Sequence, residues 1–175
     1  MSMSDDEHLA ARLARGEEAA FAELYDACAD RLLRYVATRV GSADAAADVV
    51  QDVFLRAVRG RKHFRKVESP VAYVFQIARN ETVRRWRAAP PRAVSMQDAL
   101  SDVAETPSLG DDAEVLQTAL GRLTAEDREI VDLKVYAGLT FREIADVLAM
   151  PLATVATRYR RALESLRPWV AKQLR

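Results

Sequence analysis

Along most of this chain apolar residues return at steps of three and four, the spacing that gives a helix one buried stripe. Over residues 5–40 the inward positions are Leu9, Leu13, Phe21, Leu24, Leu32, Leu33, Val36 and Val40, and Gly41-Ser42 interrupts the pattern. A new helix runs to about Arg59 with Val49, Val50, Val53, Phe54 and Ala57 on one side. Asp48, Gln51, Asp52, Leu55 and Arg59 fall on the other, so Leu55 is an apolar residue stranded in a polar stripe. Residues 60–68 form a basic loop. Ser69-Pro70 then supplies an N-cap and a first-turn proline, opening a helix to about Arg87. Its inward face is Val71, Val74, Phe75 and Ala78, and opposite lie Tyr73, Gln76, Asn80, Arg84 and Arg87.

The pattern fades over residues 88–113, where Pro90-Pro91, Pro107, Gly110 and small polar residues read as a linker with room for a short helix at 95–102. It resumes near Glu114 with Val115, Leu116, Ala119, Leu120 and Leu123. Thr124 and Asp127 open a helix with Ile130, Val131 and Val135 inward, and Gly138 stops it. Thr140 and Glu143 form a capping box for a helix buried through Phe141, Ile144, Ala145 and Leu148. Pro151 restarts the chain into a last helix with Val155, Tyr159, Ala162, Leu163 and Leu166 inward. Its other face carries Thr154, Thr157, Arg158, Arg161 and Ser165, the groups that bond phosphates and guanine edges. The pair reads as a helix-turn-helix, although an ordinary hairpin with a solvated basic face has the same spacing. The expected fold is all-α: two small helical domains, 1–88 and 114–175, joined by an acidic flexible linker, 89–113.

The formal charge of zero conceals segregation. Residues 1–55 carry a net of −6, 56–87 of +8, 88–114 of −5, 115–151 of −2 and 152–175 of +5. Two basic blocks divided by an acidic one suggest two polyanion-binding surfaces. One cysteine, Cys28, excludes a disulfide framework and a thiolate metal site, and His8 and His63 are far apart, so no metal is expected. There is no glycine-rich phosphate loop, Ser/His/Asp set or HExxH motif, so no enzymatic activity and no cofactor are expected. No apolar run reaches the ~20 residues of a membrane span, and a cytoplasmic, reducing location follows as an expectation.

The polar face of the helix at 69–87, beside the basic loop, suits unpaired bases and phosphates. Tyr73 and Trp86 could equally pack the edges of a core. Leu55 could anchor a partner's helix, or be the single exposed leucine common on any surface.

The order DVVQDVFLRAV (48–58), FRKVESPVAYVFQIARNETVRRWR (64–87), an acidic linker, then LTAEDREIVDLKVYAGLTFREIADVLAMPLATVATRYRRALESLR (123–167) resembles the extracytoplasmic-function (ECF, group four) sigma factors. The resemblance implies sigma regions two and four, binding to core RNA polymerase through its β′ clamp coiled coil and β flap, and promoter selection with DNA melting. It implies core-polymerase contacts by Asp48, Gln51, Asp52, Leu55 and Arg56. Minus-ten DNA contacts would come from Lys62, Phe64, Arg65, Lys66, Tyr73, Gln76, Asn80, Arg84, Arg85 and Arg87. Minus-thirty-five contacts would come from Lys134, Thr154, Thr157, Arg158, Arg160 and Arg161. It also implies an anti-sigma factor, with the free protein a monomer or a heterodimer with that inhibitor.

Three positions depart from the family's pattern. Ala153-Thr154-Val155-Ala156-Thr157 lacks the basic residue usual at the fourth place, Ala149 replaces a common glycine, and Tyr73 stands where tryptophan is frequent. Elements two helical turns apart lie ~70 Å from each other. A linker of this length stretches to ~85–90 Å but relaxes to ~30 Å, so without polymerase the two domains are expected to approach each other or to be clamped by an anti-sigma factor that hides both binding faces. A stand-alone helix-turn-helix regulator and an adaptor that does not bind DNA are the alternative functions.

Overall fold

The computed structural model describes residues 3–88 and 118–173. In the first module α1 spans Met3–Arg15, α2 Glu18–Val40, α3 Ala43–Arg59 and α4 Pro70–Ala88, with a 3₁₀ helix at Arg61–Lys66. The second has a helical turn at 118–120, then α5 (Ala125–Val135), α6 (Phe141–Leu148) and α7 (Leu152–Gln173). No strand occurs among the described residues. The expected linker, its short helix at 95–102, and Val115 and Leu116 lie outside them.

The caps fall where side-chain chemistry places them. Ser42 accepts the Ala45 N–H at 3.1 Å, Ser69 that of Ala72 at 3.2 Å and Thr124 that of Asp127 at 3.2 Å. Glu143 Oε2 receives the Thr140 N–H at 2.8 Å, while Thr140 Oγ1 receives the Glu143 N–H at 3.2 Å, completing the capping box. Ala149 ends α6 in the left-handed region at φ 52°.

Leu24, Leu32, Val36, Val49, Val53 and Phe75 fill the core of the first module. Ala119, Leu120, Val131, Ala162 and Leu166 form a smaller one within the second. Two expected core residues face outward. Val135 is 59% exposed because α5 turns Ile130 and Leu133 inward, and Val135 lies ~200° around the helix from Leu133. Leu163 is exposed because Ala162, ~100° away, holds the buried position on α7.

The modules are packed together. Leu139, Ile144, Ala145 and Val147 belong to the same apolar core as Val71 and Phe75. Beside it, Glu129 on α5 receives Arg79 from α4 and Arg39 from α2, with the Tyr35 hydroxyl 3.4 Å away. Arg39 also reaches Asp132 at 3.0 Å and lies over the Tyr35 ring at 4.1 Å. Nearer the start of α4, the Ser69 hydroxyl donates to Glu143 Oε1 at 3.0 Å. Glu143 therefore serves α6 with one oxygen and the cap of α4 with the other.

Candidate nucleic-acid and partner interfaces

The polar face of α3 borders an apolar groove of about 470 Å³ against α2. Leu55, Tyr25 and Val58 are its exposed apolar walls, and Tyr25 rests on Phe54 with ring centroids 4.9 Å apart. Leu55 alone was legible in the sequence. Tyr25 and Val58 each follow a buried residue, Leu24 and Ala57, and only the packing of α2 on α3 brings them to one groove. Asp48 and Gln51 are exposed. Asp52 and Arg56 are reachable from solvent but already paired, Asp52 with Arg85 at 2.7 Å and Arg56 with Glu81 at 3.1 Å.

The expected basic loop is the 3₁₀ helix, and its winding exposes Lys62, Arg65 and Lys66 while turning Phe64 inward. Phe64 is 0% exposed, edge-on to Phe21 at 6.1 Å and to Tyr73 at 5.1 Å. The expectation of a DNA contact from Phe64 is therefore corrected: it is a core residue that braces Tyr73. Tyr73 and Gln76 are half-buried, and burial raises the Tyr73 hydroxyl above its ordinary pKa. Asn80, Arg84 and Arg87 are exposed along α4. Trp86, 57% exposed, does not pack a core edge. Lys66, Ser69, Tyr73 and Gln76 line a recess of about 270 Å³ together with Asp146 of α6. A carboxylate of the second module thus shares a recess with Lys66 of the basic segment of the first.

On α7, Thr154, Thr157, Arg160 and Arg161 are exposed. Arg158 is held by Glu126 and Asp127 in the first turn of α5. The Lys134 ammonium donates to the Leu139 carbonyl at 2.9 Å and lies 5.0 Å from the Phe141 ring centre. Lys134 is thus engaged within its own module through one of its three N–H donors.

Among the described residues no cluster of His, Cys, Asp or Glu has the makings of a metal site, and no helix is long and apolar enough to cross a membrane. Cys28 is buried and its thiol is pushed up to about 12, so it lacks thiolate character.

Two family models match the chain in the order the two modules take: Sigma-70 region 2 over residues 24–90 and Sigma-70, region 4 over residues 113–166. The chain belongs to the sigma-70 family. Its group is the extracytoplasmic-function one. The ECF RNA polymerase sigma factor SigK of Mycobacterium ulcerans is 32% identical over 174 residues, covering 94% of this chain and 93% of the relative. The RNA polymerase sigma-H factor of Pseudomonas aeruginosa is 28% identical over 181 residues, covering 95% and 94%. Among solved structures, CnrH in complex with the cytosolic domain of CnrY shares the fold at a TM-score of 0.71 and 24% identity, over 95% of this chain and 97% of that one. RpoE in complex with the anti-sigma factor NepR from Bartonella quintana does so at 0.58 and 24%, over 79% and 89%.

In this sigma factor the contact between the regions is electrostatically mixed. Asp6, Glu68, Glu143 and Asp146 share a cavity of about 790 Å³ with Arg31, Arg65, Lys66 and Arg142. Burial, and then the charge of Glu143, raises the Asp6 carboxyl above its ordinary pKa. Burial, and then Glu68, does the same to Asp146.

Proposed function

We propose that this ECF sigma factor docks on core RNA polymerase through the α2–α3 groove, with Leu55 as its anchor and Asp48, Gln51, Asp52 and Arg56 around it. Region two then receives the melted minus-ten strand along α4 and the 3₁₀ helix, through Lys62, Arg65, Lys66, Tyr73, Gln76, Asn80, Arg84, Arg85 and Arg87. Extracting a base costs a few kcal/mol and stacking returns ~1–3 per base, so melting proceeds only where sequence-selective contacts add to stacking. Region four reads the upstream element with Thr154, Thr157, Arg158, Arg160 and Arg161 of α7 in the major groove. The factor supplies specificity and no catalysis of its own, and it works in the cytoplasm, where the polymerase is.

The observation that carries this reading is the presence, on a two-region sigma fold, of two separate cationic helix faces and a third, apolar surface on α3. The packed arrangement supports a resting state. Asp146 of region four lines the same recess as Tyr73 and Gln76, so its carboxylate would repel an entering strand until region four moves away. An anti-sigma factor that holds the two regions together would keep the protein in this state. Run-off transcription with core polymerase on a randomised promoter library tests the whole reading: promoter-specific transcripts appear only when the chain is added. Specific duplex binding without polymerase would favour a stand-alone regulator instead.

A further inference from the structure

The inward stripe of α4, Val71, Val74, Phe75 and Ala78, continues at helical steps to Glu81 and Thr82. A carboxylate therefore stands where the stripe calls for an apolar residue, and it is only 2% exposed. Three guanidiniums from two helices close over it. Arg84 binds with both prongs, Nη2 to Oε1 at 2.6 Å and Nε to Oε2 at 3.3 Å. Arg85 Nε reaches Oε1 at 3.3 Å, and Arg56 Nη2 on α3 reaches Oε2 at 3.1 Å. The other end of the Arg85 fork holds Asp52 at 2.7 Å. Arg84 contributes most to keeping the Glu81 carboxyl below the usual range, against the opposing effect of burial.

We infer that Glu81 is the positioning residue of the strand-binding face, a buried anion that fixes Arg84 and Arg85 in the orientation in which they meet phosphate and ties them to Asp52 and Arg56 on the polymerase-docking helix. The inference rests on the proposed DNA role of α4. Three like-charged guanidiniums repel one another, and each long side chain loses rotamer freedom when it binds. An anion beneath them removes both obstacles before the strand arrives, which is preorganisation. The outward edges of the arginines stay free to bind: the Arg84 side chain is 65% exposed and that of Arg85 37%. The opposite effect would follow if Glu81 merely neutralised charge, because its removal would then add attraction for phosphate.

Glu81→Leu completes the apolar stripe, and Glu81→Gln keeps the shape without the charge. Each variant is first titrated with core polymerase, so that DNA binding is read on fully assembled holoenzyme. The probe is an end-labelled fork-junction DNA whose single-stranded arm carries the minus-ten sequence recovered from the run-off library. Both variants are expected to bind it about tenfold more weakly, with an unchanged salt slope, because the same phosphates are still met. The Nε–H resonances of Arg84 and Arg85 should lose their dispersion in both. Arg84→Ala should weaken binding comparably alone and far less in the Glu81→Leu background. Binding by Glu81→Leu as tight as wild type, or tighter, overturns the positioning role while leaving α4 as the DNA face. Unchanged binding by both Arg84→Ala and Arg85→Ala overturns the DNA face itself, and the inference with it.

Discussion

Arg79 and Glu129 meet in a two-pronged ion pair between regions two and four, Nε to Oε1 at 3.0 Å and Nη2 to Oε2 at 3.2 Å. The same carboxylate also accepts Arg39, so one acidic side chain of α5 receives a cation from each of two helices of the other region. The Glu129 side chain is 16% exposed and that of Arg79 33%, which places the pair between a buried bridge and a surface one.

Glu129→Gln leaves both arginines without their shared anion at the junction of the regions. Packing of the two regions should weaken by about 1–3 kcal/mol, less than a fully buried pair would give because solvent screens Arg79. Small-angle scattering of the free chain should show a larger radius of gyration. An unaltered profile would mean that the apolar contact around Ile144 and Phe75, with the Arg39–Asp132 and Ser69–Glu143 contacts, suffices to hold the regions together.

Leu55 and Tyr25 are each about half exposed, so truncating either removes little from the core of region two. Leu55→Ala should weaken core polymerase binding by more than about 1 kcal/mol, as expected of an anchor in a desolvated pocket, and Tyr25→Ala should do so as well. Fluorescence titration with core enzyme measures both, beside thermal melts that should scarcely change. Wild-type affinity in both variants would remove the groove from the docking surface.

Periodicity carries information about which side of a helix is buried, and little about what lies against that side. Val49, Val53, Val74 and Phe75 were therefore legible one helix at a time, as were the caps at Ser69, Thr124 and Thr140. Phe64 was not, because the 3₁₀ winding that turns it under Tyr73 has no apolar period in a segment dominated by Arg and Lys. The partners of Lys134, the Leu139 carbonyl and the Phe141 ring, were not legible either, because the turn at Gly138 brings them to it. The one overlooked signal on α4 is Glu81, an acid on an apolar stripe with Arg at three and four residues beyond. The ion pairs between the regions join residues 50 to 93 positions apart, beyond the reach of any local pattern.

Ala149 occupies the left-handed position that ends α6, at φ 52° and ψ 45°, where a Cβ approaches the backbone. Ala149→Gly relieves that contact at the expense of greater freedom in the unfolded chain, so a net gain of about 0.5–1 kcal/mol is expected. Ala149→Val should lose more than that, because a branched side chain tolerates this region less. Paired thermal melts check the order Gly above Ala above Val. The reverse order would show that packing, not backbone geometry, governs the turn of the helix-turn-helix.

Closure of the two regions should also depend on pH, with a sign fixed by Asp6 and Asp146. Both carboxyls lie above their ordinary value of 3.8 in the closed form, because burial and neighbouring carboxylates disfavour their charge. Arg142 opposes this at Asp146 without reversing it. Once the regions separate, both return toward that ordinary value, so closing takes up protons. Their contribution to closure is then full below 3.8 and is lost as pH rises through the raised values. An interdomain fluorescence-transfer signal, followed from about pH 3.5 to 7, should fall across that window and level off above it. Asp6→Asn with Asp146→Asn should flatten the curve while holding the regions together at neutral pH. A signal that instead rises with pH would mean that the arginines and Lys66 of the shared cavity dominate these carboxylates, and that closure releases protons.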